Sequence, residues 1–316
     1  MWRPTAGLEA LRRRAEVLAE IRAFFAEAGV LEVETPLLGA ATASDLHIQS
    51  IVATVGGRRG YLQTSPEYAM KRLLAAGSGP IYQISKAFRD GEQGRRHNPE
   101  FTLLEWYRPG WDHHRLMDEV AALLSRILSV PPAERQTYRE AVREHAGVDP
   151  WTASAQELRR RAQELGLGEV SGLDADDRGG WLDLLLSLVV EPQLGRRRPT
   201  LLYDYPPDQA ALARVRGQGE DAVAERFEAY VEGVELANGY HELLDPAEQR
   251  RRFERDLDRR AEAGLPPVPV DERLLAALEA GLPPCAGVAL GVDRLVMLAA
   301  GASSLQEVLA FPADRA

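Results

Sequence analysis

The chain is almost without cysteine and lysine. Its 316 residues include one cysteine, Cys285, and two lysines, Lys71 and Lys86. A single thiol excludes an internal disulfide, and a cytoplasmic protein is the simplest reading. Arginine supplies nearly all the positive charge, which reads as a compositional bias with no function of its own. Long apolar runs are also missing. Stretches such as Leu184 to Val190 fall far short of the about 18 residues that would suggest a membrane span. No apolar segment follows the N-terminal arginines, so no signal peptide is expected. The formal net charge of −10 argues against a broad nucleic-acid surface. The phosphate-binding patterns G-x-x-x-x-G-K-[ST] and G-x-G-x-x-G are absent, and no Cys/His spacing of the zinc type occurs. A nucleotide, if bound, must be held by another route.

What is present suits a folded catalytic domain. Hydrophobic residues make up 45% of the chain, enough for one large domain or two small ones. Leu8, Leu11, Ala15, Leu18, Ile21 and Phe25 recur at helical spacing, and Gly29 closes that helix. A short strand over 30–34 stops at Pro36. Two strands, 48–55 and 59–63, flank a Gly56-Gly57 turn. Ser65 as N-cap and Pro66 at the first helical position open a helix running to Leu74. A strand follows over 81–88, and mostly helices over 112–190. Strands return at 200–205 and 227–243, the latter with a bend at Asn238-Gly239. Helices are expected over 246–263 and 274–280, then a strand over 287–291 entering a last helix. Several neighbouring strands are hairpin-linked, which favours an α+β fold: an antiparallel sheet with helices packed on it.

Residues 86–107 carry the densest chemistry. Arg89 follows the 81–88 strand, and a polar loop bears Arg95, Arg96 and His97. The chain returns through Phe101 and Leu103 to Glu105 and Tyr107, whose alternate spacing puts them on one face of a strand. A cation at one end and a carboxylate at the other suit a ligand with an anionic and an ammonium end. Alone, Arg89 reads more readily as one half of a surface ion pair. Glu235 and Glu242, with Asn238 between, could hold Mg²⁺ against a phosphate or take an ammonium; they read equally as solvated edge-strand carboxylates. Gly287 to Arg294 allows close backbone approach to a flat ligand, with Arg294 in a helix's first turn, where it wants an anion; a plain strand-to-helix turn reads equally well. Glu67 has an ordinary reading as a helix N-terminal carboxylate. His97, His113, His114 and His241 show no nucleophile or metal pattern. Cys285 reads as a small residue near a turn.

Together these segments resemble the three signature motifs of class II aminoacyl-tRNA synthetases. Residues 29–36, Gly-Val-Leu-Glu-Val-Glu-Thr-Pro, resemble motif 1, residues 88–107 motif 2, and residues 287–294 motif 3. Ser65-Pro66-Glu67, the 97–102 run His-Asn-Pro-Glu-Phe-Thr and the 235–239 run Glu-Leu-Ala-Asn-Gly are similar to the lysine branch. Motif 1 begins too early for an anticodon-binding domain to precede it, and Ala289 stands where lysyl-tRNA synthetases usually have glycine. Both features, with Glu-Phe-Thr-Leu-Leu-Glu-Trp-Tyr-Arg-Pro at 100–109, are similar to the elongation factor P–(R)-β-lysine ligase family. The resemblance implies a single catalytic domain over 1–316, with a helical insertion at about 112–190. It implies a cytoplasmic homodimer that uses ATP with Mg²⁺, activates (R)-β-lysine as an adenylate, and acylates a lysine of elongation factor P. Neither tRNA nor a membrane is an expected partner. The alternatives are a truncated lysyl-tRNA synthetase-like enzyme with another amine or tRNA acceptor, and an inactive regulatory paralogue.

The resemblance also implies roles for residues. Arg89 and Arg294 are the catalytic arginines. Ser65, Pro66, Glu67, Glu105, Tyr107, Glu242 and Ala289 surround the amino-acid substrate. Arg89, Asp90, Gly91, Glu92, Asn98, Glu235, Leu236, Gly291 and Arg294 bind ATP, and Glu235 and Glu242 hold Mg²⁺. Motif 2 departs from the usual Arg-x-Glu: Gly91 occupies the glutamate's place and Glu92 follows one residue later. Arg95, Arg96 and Arg196 to Arg198 are candidates for a local basic patch that docks an acidic partner.

Overall fold

The computed structural model describes residues 2–168 and 172–316. The single domain read over 1–316 comprises two compact units: residues 1–111 with 243–316, and residues 112–242. In chain order, the first unit contains α1 (Leu8–Glu27), β1 (Leu31–Glu32), β2 (Leu38–Gly39), β3 (Val52–Val55), β4 (Arg58–Leu62), α2 (Glu67–Ala75), β5 (Ile81–Phe88) and β6 (Glu100–Pro109). The second holds α3 (His113–Leu128), β7 (Glu134–Thr137), α4 (Tyr138–Ala146), α5 (Ala155–Glu164), α6 (Arg178–Leu185), β8 (Thr200–Tyr205), β9 (Val215–Arg216), β10 (Val223–Val231) and β11 (Val234–His241). The first unit is completed by α7 (Pro246–Glu262), α8 (Glu272–Gly281), β12 (Cys285–Gly291) and α9 (Val292–Ala299).

In the first unit, β5 and β6 form a long antiparallel hairpin, β12 adds antiparallel to β6, and β1 runs parallel to β5. A separate three-stranded ribbon runs β2-β4-β3. Helix α1 ends as its sequence dictates. Gly29 donates to Ala26 and Val30 to Phe25, the paired bonds that close a helix on a glycine. Phe25 then stacks on Tyr82 of β5 at 4.5 Å and meets Trp106 of β6 at 5.2 Å, so the α1 stripe seals one face of the hairpin. The Tyr82 hydroxyl donates to Glu32 at 2.8 Å, and Arg22 of α1 pairs with the same carboxylate, tying α1, β1 and β5 together. Of the expected 30–34 strand, only Leu31–Glu32 pairs.

In the second unit, β10 pairs antiparallel with both β8 and β11, β9 adds to β10, and β7 runs parallel to β8. The long strand expected over 227–243 is corrected. It is a hairpin that turns at Glu232-Gly233, where both residues have positive φ (55° and 69°), the geometry of a type I′ turn. Asn238-Gly239, expected to bend, lies in the regular ladder opposite Glu228 and Phe227. The sequence favoured the Asn-Gly pair as the break because that dipeptide is a strong turn former. The apolar faces of α4, α5 and α6 pack around Tyr138, Trp181, Tyr205 and Tyr230 in a core of their own. Cys285, read as a small residue near a turn, is fully buried as the first residue of β12, directly after the bend at Pro284.

Candidate active site

The first unit carries motifs 2 and 3. The hairpin places Glu105 on β6 directly between Gln83 of β5 and Ala289 of β12. Facing residues of neighbouring strands share one side of a sheet, so these three side chains line one surface. Glu105 is 2% exposed and accepts from the Tyr107 hydroxyl at 2.7 Å. Ala289 is half-buried and is the register partner of Glu105. Gln83 is buried, and its amide oxygen accepts no hydrogen bond from the described residues. Sequence reasoning missed Gln83: its only signal is an inward position on an apolar strand, legible once the β5–β6 register is known.

Arg89 sits where β5 enters the loop. Its backbone N–H donates to Pro99 across the hairpin, and its guanidinium lies 5.1 Å from the Phe101 ring. Nε is buried without a hydrogen-bond partner among the described residues, and one terminal nitrogen lies 3.5 Å from Glu92. Gly91 has φ +78°, a conformation in which a glutamate would be strained. The carboxylate that reaches Arg89 is therefore the next one along, Glu92. Asp90 donates its backbone N–H to Gln49, so its main chain is fixed.

The tip of this loop meets motif 3. Gly94 and His97 form an isolated bridge, and Arg294 donates through Nε to the Arg96 carbonyl at 3.2 Å. A terminal nitrogen of Arg294 lies 2.7 Å from His97 Nε2. Burial first, then the Arg294 charge, lowers the His97 pKa, which favours a neutral ring able to accept that N–H. Gly291 caps α9 without a side-chain bond. Asp293 is buried; it accepts from the Thr102 backbone at 2.7 Å and pairs with Arg14, holding α9 against β6 and α1. Asn98 is engaged at both ends: its amide donates to Glu100 at 2.6 Å and its oxygen accepts from Ala313 at 2.9 Å. It thus clamps the C-terminal segment to the loop.

Ser65, Pro66 and Glu67 precede or open α2, which begins one residue later than expected. Pro66 is the capping residue, and Ser65 Oγ accepts from the Glu67 backbone at 3.3 Å. Glu67 forms a 2.6 Å ion pair with the buried Lys71 one turn on. Of the basic-patch candidates in this unit, Arg95 donates to the Ser303 carbonyl, and its own carbonyl accepts from Leu305.

The second unit carries Glu235, Leu236, Asn238 and Glu242. Glu242 lies seven positions after Glu235 and one past the end of β11, and strict alternation would put the two on opposite faces. The register shows otherwise. Ala229 faces Ala237 but Tyr230 faces Glu235, so Leu236 is the extra residue of a β-bulge. One extra residue reverses the phase of alternation and returns both carboxylates to one face. Asn238 accepts from Arg226, which also pairs with Glu228 and lies over the Tyr205 ring at 4.4 Å. Glu242 is 1% exposed and bridges to Ala213. Two carboxylates on one face are hard oxygen donors of the kind Mg²⁺ takes, whereas the Asn238 oxygen is already engaged by Arg226. Arg196, Arg197 and Arg198 are exposed, with Arg196 donating to Pro192.

The matching family model, tRNA synthetases class II (D, K and N), covers residues 2–315. The relatives named elongation factor P–(R)-β-lysine ligase from Salmonella paratyphi B, Salmonella heidelberg and Salmonella typhimurium are each 51% identical, over 100% of this chain and 98% of their own. Among the described residues, no helix is long and apolar enough to cross a membrane. With the motif-bearing hairpin in place and a match running the length of the chain, this protein belongs to the class II tRNA synthetase family and, within it, to the elongation factor P–(R)-β-lysine ligases.

Proposed function

We propose that this chain activates (R)-β-lysine with ATP and transfers it to the ε-amine of a lysine on elongation factor P. The observation that carries the reading is the buried Glu105, hydrogen-bonded by Tyr107 and flanked in register by Ala289 and Gln83. A ligand with two ammonium groups needs anionic and polar acceptors in a desolvated pocket, because a neutral pocket would leave those charges uncompensated. The alanine methyl narrows the pocket beside the carboxylate, which favours a substrate with its amine displaced from the α-carbon.

In the first step a substrate carboxylate oxygen attacks the α-phosphorus of ATP, and pyrophosphate leaves. Arg89 bridges the carboxylate and α-phosphate; its buried Nε, without a hydrogen-bond partner among the described residues, is a donor ready for an incoming oxyanion. Arg294 meets the terminal phosphates, supported by neutral His97. Gly291 allows close backbone approach, and Asp90, Gly91, Glu92 and Asn98 form the nucleotide-side loop. Glu235 and Glu242 would hold Mg²⁺, which would neutralise phosphate charge. In the second step the lysine ε-amine attacks the adenylate carbonyl, an amide forms, and AMP leaves. Glu67 and Ser65 border the substrate's amines.

The protein acts as a homodimer through motif 1. Leu31 in motif 1 and Leu37 and Leu38 just after it are 57%, 40% and 37% exposed, an apolar edge that a second copy would cover. Neither tRNA nor a membrane takes part, and the enzyme works in the cytoplasm. The test is pyrophosphate exchange with (R)-β-lysine and α-lysine compared, followed by mass spectrometry of elongation factor P incubated with enzyme, ATP and (R)-β-lysine. The expected result is a β-lysine preference and one added β-lysyl mass. A strong α-lysine preference, or an unmodified acceptor, would overturn the reading.

A further inference from the structure

The second unit assembles a cluster that its sequence spacing conceals. His113 is the first residue of α3, fixed there by Asp112, whose side chain accepts from the Arg115 backbone. Glu225 lies on β10 and His241 ends β11. One ligand atom from each of these three residues lies within 4.8 Å of the others. His113 is 1% and Glu225 6% exposed, and His241 is half-buried. His241 Nδ1 already sits 2.8 Å from a Glu225 oxygen.

His113 is the telling member. Both its ring nitrogens are buried, and neither makes a hydrogen bond among the described residues. A buried imidazole normally has a partner on at least one nitrogen. An Asp204 oxygen lies 3.7 Å from Nε2. That carboxylate stands where a metal-bound histidine usually finds the group that orients its second nitrogen. Asp204 also holds φ +59° at a position within β8, a conformation that a non-glycine residue keeps only where its surroundings impose it.

We propose that His113, His241 and Glu225 bind one divalent transition-metal ion of the zinc class. Two imidazoles and a carboxylate form a nitrogen-rich borderline donor set, which selects Zn²⁺, Co²⁺ or Ni²⁺ over the oxygen-seeking Mg²⁺. Tetrahedral Zn²⁺ bonds of about 2.0–2.1 Å hold donors roughly 3.4 Å apart, so small rotations from the present spacing suffice. Arg214 and Arg216 now neutralise Glu225 from solvent-facing positions, at 2.7 and 3.5 Å. Their side chains are 49% and 45% exposed, so each can turn outward while the ion takes over the charge balance. The bound ion cross-links α3, β10 and β11, and it anchors the residue directly before Glu242.

The full-length protein, freed of metal with a chelator, is titrated with Co²⁺ and followed by its visible d–d absorption. One equivalent is expected, displaced by Zn²⁺, with a rise in thermal midpoint on Zn²⁺ addition. His113→Gln and Glu225→Gln, checked for folding by circular dichroism, should lose the bands, while His47→Gln should keep them. X-ray absorption at the zinc edge of the wild-type protein should show two imidazole ligands. No stoichiometric binding, unchanged binding in the folded His113→Gln and Glu225→Gln proteins, or a zinc spectrum without imidazole scattering would overturn the proposal. None of these readouts depends on ligase activity.

Discussion

Glu105→Gln is the sharpest single perturbation of the proposed amino-acid pocket. The substitution keeps the shape, and the Tyr107 hydroxyl, 2.7 Å away, can still donate to an amide oxygen. The fold should therefore lose no more than about 1.5 kcal/mol, the scale of one hydrogen bond. What disappears is the negative charge, in a position only 2% exposed. Removing one charge of a buried, hydrogen-bonded pair costs about 2–5 kcal/mol, much of it because the other charge is left buried. If Glu105 receives a substrate ammonium, kcat/KM for (R)-β-lysine should fall by roughly 30- to 5,000-fold. The assay is pyrophosphate exchange with the amino acid varied at saturating ATP, then with ATP varied. The KM for ATP should hold within about threefold, since the lost charge faces the amine and not the phosphates. An analogue lacking the contacted amine should be almost equally poor with both enzymes. A kcat/KM for (R)-β-lysine within threefold of wild type would refute the assignment, as would an equal loss for the analogue.

Arg89→Ala should lower adenylate formation by at least about 10²–10³, the scale of one preorganised transition-state donor, while leaving the subunit assembly seen by analytical ultracentrifugation unchanged. Near-normal exchange would remove it from its role. Ala289→Gly should shift the ratio of kcat/KM values toward α-lysine by roughly tenfold, the scale of one methyl in a pocket; an unchanged ratio would show that Ala289 does not set the choice. Asp149 offers a pH test away from the site. Burial raises its pKa, but Arg139, the Trp151 backbone N–H and Arg143 together outweigh that and hold the carboxyl at about 2, below its ordinary 3.8. A depressed folded pKa stabilises the protein above the unfolded value and is lost as pH falls. Denaturant unfolding between pH 4 and pH 2 should therefore fall more steeply in the wild type than in Asp149→Asn, and parallel curves would contradict the ion pairs.

The motif-bearing hairpin was legible because its signals are local. An eight-residue apolar strand, a polar loop and alternating inward residues fix β5 and β6 almost to the residue. The shared strand of Glu105 and Tyr107 was legible for the same reason: their spacing survives unchanged into the ladder. Less legible are the residues whose setting depends on a partner strand. Gln83 acquires meaning only from its register with Glu105. Glu235 and Glu242 are an odd number apart, so periodicity alone would separate them, and only the mismatch between Ala229–Ala237 and Tyr230–Glu235 restores a common face. The β10–β11 turn was misplaced because Asn-Gly is the stronger local signal, yet the ladder continues through it and breaks at Glu232-Gly233 instead. The histidines at 113 and 241 carried no metal pattern because metal spacing in sequence reflects ligands on adjacent turns or strands. Here a helix start and a strand end, 128 residues apart by their numbers, are joined through Glu225 on the intervening strand. The bulge has its own consequence. If Leu236 supplies the extra residue that brings Glu235 into phase with Glu242, deleting Leu236 should put Glu235 on the far face and abolish the Mg²⁺ dependence that Glu235→Gln weakens. A chain lacking Leu236 that keeps wild-type Mg²⁺ dependence would show that the two carboxylates do not act from one face.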